Sequence, residues 1–325
     1  MQLVIKNQKK ILSLAQSEGI PEIVSNAGEQ ASFRFLEFFT AQIRNPNTRR
    51  AYHTAVTQFF HWCHSNSLEL EDIHSIHIAT YIEKLLTISS APTVKQHLAG
   101  IRMLFDWLVT GHVIQINPAT SVRGPKHVVK RGKTPILTAE DTRMLLDSIP
   151  TDTLIGLRDR ALIAMMVFSF ARIGAVLKMQ VKDYYPNGKR WWVRLHEKGG
   201  KYHEMPAHHT LEQYLDDYLE ATGIKEDSNR SLFRTFGGKG RAMTKNPMLQ
   251  TYAWQMIRRR AKAAGIFTPL CNHSFRGTGI TTYLQNGGTL EKAQQMAAHE
   301  SPRTTKLYDR TDDEMSLDEI EKVII

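Results

Sequence analysis

At 325 residues the chain is long enough for about two domains, and with 42% hydrophobic and 23% charged residues it lies outside the disordered, collagenous and membrane compositions. Its longest apolar stretch, Ala161 to Ala171, is broken by Ser169 and is about half of what a bilayer needs, so no transmembrane span is expected. Lys and Arg number 42 against 32 Asp and Glu, and the resulting charge of +10 favours a polyanionic partner, nucleic acid before any other.

The opening segment MQLVIKNQKK brings lysines after few apolar residues and has no small-residue cleavage site. It does not read as a secretory signal, and a cytoplasmic protein is expected. Cys63 and Cys271 are far apart and lack CxxC spacing, so both read as reduced, packed thiols. Residues 1–28 form an N-terminal extension, and residues 29–117 a small helical domain whose pattern is helical from Ser32 to His112. Asn47 can cap a helix over Thr48–His64, with Tyr52, Val56, Phe59, Phe60 and Cys63 as its apolar stripe and Arg49, Arg50 and His53 opposite. A second helix starts near Pro92, turns Val94, Leu98, Ile101, Leu104, Phe105 and Leu108 inward, and leaves Lys95, Gln96 and Arg102 outside.

Residues 118–135 lose the apolar period and gain Pro118, Gly124, Pro125, Gly132 and Pro135, which marks a linker. Within it Arg123, Lys126, Lys130, Arg131 and Lys133 occur without an acid. Such a segment suits an extended strap along a phosphate backbone, or equally a solvated connector. The second domain, 136–325, opens with Thr138 capping Ala139–Ser148 and a buried helix over Leu157–Phe170. A hairpin follows, Arg190–His196 and Tyr202–Pro206, with Lys198 at its tip. Helices are predicted over Leu211–Ala221, Leu249–Ala264, Phe275–Gln285 and Leu290–Ala298, and a short amphipathic tail helix within Met315–Ile325. Lys239, Arg241, Lys245, Arg258, Arg259 and Arg260 add candidate nucleic-acid contacts to Arg49, Arg50, Lys95, Arg102 and the linker. His208 and His209 are adjacent, project differently and make a poor metal pair, so neither a metal nor a cofactor is expected.

His273 and Arg276 lie three apart at a predicted helix start, on one face of an end that favours anions. A phosphodiester in a pentacoordinate transition state gains negative charge on its non-bridging oxygens, and two guanidiniums, Arg172 and Arg276, can clamp them bidentately. Taken singly, each arginine reads as a surface ion pair, and Tyr308 as a helix residue with a buried ring.

The ordered set Arg172, Lys198, His273-x-x-Arg276, His299 and Tyr308, with the segment Ala298 to Tyr308, resembles the tyrosine recombinase (phage integrase) family. The resemblance covers the whole chain. It implies a mainly α fold with a small β-hairpin or sheet in the catalytic domain, arranged as a two-domain DNA clamp with a helical, SAM-like core-binding domain. It also implies a site-specific recombinase, from a mobile element or otherwise, that acts as a tetramer on two double-stranded DNA sites, leaving room for accessory DNA-bending proteins. Tyr308 would be the nucleophile forming a 3′-phosphotyrosyl intermediate, and Lys198 the acid for the leaving 5′-oxygen, with Lys201 as its backup. His273 would move the tyrosine's proton, and His299 would donate to a phosphate oxygen. Rival readings are a type IB topoisomerase and a non-catalytic DNA-binding protein. The chain departs from the family pattern at Ala175, where an acid often holds the first arginine, at Ala298, usually glycine, and at Gly277, commonly histidine.

Overall fold

A computed structural model describes residues 19–128, 132–197, 202–238, 242–309 and 321. The chain divides into two compact units, Met1–Val128 and Val129–Ile325. Both are mainly helical, and the second also carries two small antiparallel sheets.

The first unit is built on two long helices, Pro46–Ser65 and Ala91–Thr110, which pack on each other. Asn45, not Asn47, caps the former: its side chain accepts from the amides of Asn47 and Thr48. Pro46 then occupies the first helical position, where its missing N–H costs nothing. Val56, Phe59, Phe60 and Cys63 are sealed against Val94, Ile101, Leu104 and Phe105, as their three- and four-residue spacing dictates. Phe59 meets Phe105 edge-on with ring centroids 6.2 Å apart. Helices Glu29–Glu37 and Ser75–Ile88 close the bundle. Its core reaches back to Ile23 and Val24 on the short helix Glu22–Asn26, ahead of residue 29, and forward to Ala119 and Val122.

The second unit is organised around Leu154–Phe168. This helix is buried on nearly every side, which explains its apolar run without amphipathic period. Helices His209–Thr222 and Ser274–Gln285 pack against it. The expected hairpin is present, with Leu195 opposite His203 and Val193 opposite Met205. A third strand, Tyr184–Asn187, extends that sheet on its other edge. A second hairpin, Arg234–Gly237 with Ala242–Pro247, stands where sequence patterning gave no strand: its residues are mostly exposed and polar, so no apolar alternation marks them. The expected tail helix, Lys130, Arg131, Lys198, Lys201, Lys239 and Arg241 lie outside the described residues.

Candidate active site

The buried helix Leu154–Phe168 ends at Ser169, and Phe170 then turns the chain in the left-handed region, φ 52°. That turn places Arg172 at the cap of the four-residue helix Ile173–Val176, facing the end of the hairpin's first strand. Val193, Leu195 and Glu197 alternate inward along that strand and its continuation, and all three are buried. Arg172 Nη1 donates to Glu197 Oε2 at 2.6 Å. The Glu197 side chain is 6% exposed and that of Arg172 38%, so one is walled in and the other reaches solvent.

Arg276 lies in the first turn of Ser274–Gln285 and is 1% exposed. Its guanidinium donates through Nη1 to the Phe170 carbonyl and through Nη2 to the Ala297 carbonyl. Burial, with the positive charge of Arg172 second, pushes its pKa down to about 10; Tyr308 and Glu197 oppose that shift. It remains a cation at neutral pH. Both carbonyls adjoin unusual backbone: Phe170 itself, and Ala298 at φ 47° directly after Ala297. Ala298 thus stands in a left-handed position that glycine would occupy without strain, which accounts for the glycine expected there.

His299 is buried, and its Nδ1 meets the Thr305 hydroxyl at 2.9 Å. Burial first, then Arg276 and Arg172, push its pKa down to about 3, so it is neutral throughout the physiological range. Its ring lies nearly parallel to that of Tyr308, centroids 5.9 Å apart and planes 9° from parallel. Tyr308 follows the helix Pro302–Lys306 and packs on the small cluster of Phe170, Ile280, Ala293 and Ala297. Its carbonyl accepts from Thr281 Oγ1 at 2.8 Å, and the Leu307 carbonyl accepts from the Gly132 amide at 2.9 Å. A Cβ at Gly277 would stand 3.3 Å from Tyr308 Cε1, so the absence of a side chain there leaves room for the phenol.

His273 stands at the N-terminal boundary of the helix that carries Arg276, with no cap bond from its side chain, and partial desolvation, then Arg276 and Arg172, lower its pKa. Five of the six expected side chains therefore converge within one unit: Arg172, His273, Arg276, His299 and Tyr308. The sixth, Lys198, follows Glu197 directly in the chain but lies outside the described residues. Sequence reasoning did not single out Glu197, Thr305 or Thr281. An acid continuing the inward register of Val193 and Leu195 was the available sign for Glu197.

Among the expected DNA contacts, Arg50, Lys95, Arg123, Lys126, Lys245, Arg258 and Arg259 are exposed. Arg258 lies over the Trp254 ring at 4.8 Å. Arg260 pairs with buried Asp159 at 2.8 Å. Two others carry structural bonds: Arg49 donates to the Ile43 carbonyl, and Arg102 to those of Ala119 and Val122. Their guanidiniums hold the chain and are correspondingly less available to phosphate.

The profile of the phage integrase family matches residues 135–315, and that of the phage integrase N-terminal SAM-like domain matches residues 33–114. The tyrosine recombinase XerD of Chlorobaculum tepidum is 27% identical over 289 residues, covering 86% of this chain and 90% of that protein. The XerH site-specific recombinase bound to a palindromic difH substrate, in its post-cleavage complex, superposes with a TM-score of 0.68 at 18% identity, over 85% of this chain and 79% of the other. A lambda integrase dimer bound to a COC′ core site gives 0.66 at 18% identity, over 87% and 78%. With more than half of its length matched to the family profile, the chain belongs to the phage integrase family, the tyrosine recombinases.

Proposed function

We propose that this protein is a site-specific DNA recombinase that cuts and rejoins duplex DNA through a 3′-phosphotyrosyl intermediate on Tyr308. The observation that carries the reading is the stacking of Tyr308 on neutral, buried His299 beside the immobilised cation of Arg276. The phenolic oxygen of Tyr308 attacks phosphorus in line, a new P–O bond forms, and the bond to the 5′-oxygen breaks. Arg172 and Arg276 neutralise the charge that gathers on the non-bridging oxygens. In the tautomer whose Nδ1 accepts from the Thr305 hydroxyl, His299 presents Nε2–H as a further donor to phosphate. His273, whose depressed pKa favours the neutral base, takes the phenolic proton, and Lys198 supplies one to the leaving 5′-oxygen. One phosphodiester is exchanged for another, so the same groups run the step backwards when a 5′-hydroxyl from a second duplex attacks. Strand exchange then calls for paired sites and, as in the lambda integrase tetramer bound to a Holliday junction, an assembly of four protomers.

A nicked suicide duplex carrying the site protected from nuclease by the protein provides the test. Wild type should give a denaturation-resistant protein–DNA adduct in EDTA, and Tyr308→Phe none. Adduct formation by Tyr308→Phe would remove Tyr308 as nucleophile. Plasmid relaxation with no recombinant product would replace strand exchange by a topoisomerase activity.

A further inference from the structure

Arg172 has no acid on its own helical turn. The residue three positions on, whose amide bonds the Arg172 carbonyl, is buried, apolar Ala175. An arginine side chain that is two-fifths exposed samples many rotamers unless a partner fixes its guanidinium. Glu197 is that partner, and it arrives from a different element. Its carboxylate is nearly sealed from solvent at the end of a strand whose previous inward residues, Val193 and Leu195, are fully buried. A carboxylate so placed carries a desolvation cost that only a close cation offsets, so the pair is fixed from the buried side outward. Glu197 takes one N–H of Arg172, and among the described residues no other side-chain hydrogen bond engages that guanidinium, which leaves donors for a phosphate.

Two further interactions join Glu197 to the site. Its charge acts on Arg276, and on His203, which stands opposite Leu195 on the neighbouring strand and whose Nε2 has no hydrogen-bond partner among the described residues. The next residue in the chain is Lys198. We propose that Glu197 is the positioning residue of the phosphate clamp: bonded to Arg172 at 2.6 Å, it aims that guanidinium beside Arg276 and ties it to the end of the strand Arg190–His196. This rests on the reading of Arg172 as a phosphate ligand.

The test compares wild type, Glu197→Ala, Glu197→Gln and Lys198→Ala for adduct formation on nicked duplex. Each is assayed with an ordinary 5′-oxygen and with a 5′-bridging sulfur at the scissile phosphate, together with DNA affinity and thermal unfolding. Sulfur leaves without a proton, so it relieves a missing acid but not a misplaced clamp. Glu197→Ala is expected to cut adduct formation about 10²-fold, the order lost with one transition-state donor, at DNA affinity within about threefold of wild type. That loss should persist with sulfur, whereas the Lys198→Ala loss should be restored. Glu197→Gln, of the same shape, carries the test should the alanine variant fail to fold, with about a tenfold loss expected. Three results would overturn the proposal: cleavage by both Glu197 variants within about threefold of wild type, a loss matched by DNA affinity, or full restoration by sulfur. A wild-type protein that forms no adduct on either substrate would instead defeat the recombinase reading itself.

Discussion

At His299 the site's chemistry becomes a measurable dependence of stability on pH. Its pKa falls from an ordinary 6.5 to about 3 on folding, because burial and two arginines disfavour the imidazolium. Below pH 6.5 the unfolded chain therefore takes up a proton that the folded chain refuses, and stability declines as pH falls, by up to about 1.4 kcal/mol per pH unit until roughly pH 3. His273, His203, His97 and His208 shift in the same direction and add to the slope. His299→Asn should flatten the curve in that window while leaving stability above pH 7 less altered, as read by denaturant unfolding across pH; an unchanged slope would show that this imidazole is not held neutral. Ala298 offers the complementary measurement. A left-handed alanine costs about 1–2 kcal/mol, and glycine gives back about 0.5–1 of that through its own chain entropy. Ala298→Gly should therefore raise stability by about 0.5–1 kcal/mol in thermal unfolding and keep adduct formation close to wild type, because the Ala297 carbonyl stays on Arg276.

Two glycines on the helix Ser274–Gln285 separate packing from catalysis. A Cβ at Gly279 would lie 2.1 Å from the Val167 carbonyl oxygen, backbone that cannot yield, and 2.7 Å from the Phe170 ring. Gly279→Ala should lose stability by about 1–3 kcal/mol despite alanine's better helix propensity, visible as a lower melting temperature. At Gly277 the nearest atoms are Ile136 Cγ2 at 2.9 Å and Tyr308 Cε1 at 3.3 Å, which are side chains that can shift. Gly277→Ala should leave the melting temperature nearly unchanged, since about 1 kcal/mol of helix propensity offsets the crowding, and slow adduct formation several-fold by moving the phenol. The contrast also marks what the sequence made legible. The helices announced themselves through apolar period and caps, and the hairpin around Val193 and Leu195 through alternation. The hairpin Arg234–Pro247 did not, because its strands bury too little to leave a pattern. The resemblance to the phage integrase family, carried by their order in the chain, picked out Arg172, His273, Arg276, His299 and Tyr308 as a set. What holds them, the Glu197 carboxylate, two backbone carbonyls and the Thr305 hydroxyl, comes from tertiary contacts with no fixed spacing in the chain.

Over the whole molecule, the excess of ten positive charges does not by itself say which cations meet phosphate. Arg102 and Lys126 lie near one another in the first unit's sequence and look alike as basic residues, yet their surroundings differ. Arg102 bridges its helix to the carbonyls of Ala119 and Val122, and thereby closes the segment that follows Asn117 onto the bundle. Lys126 is exposed in a stretch with Arg123 and no acid. Counterion release distinguishes the two roles, because the slope of log K against log salt counts phosphates neutralised and is indifferent to fold stability. Neutralising Lys126, Lys130 and Arg131 together should therefore reduce that slope by about 0.9 for each phosphate that goes unneutralised, with little change in unfolding. Arg102→Gln should do the reverse: a loss of about 1–3 kcal/mol from carbonyls left without a charged donor, and an unchanged salt slope. Salt titrations of DNA binding and thermal unfolding on the same two variants decide it. If the triple variant keeps the wild-type slope, the segment is a connector and the charge excess must be working through other faces, beginning with exposed Arg258 and Arg259.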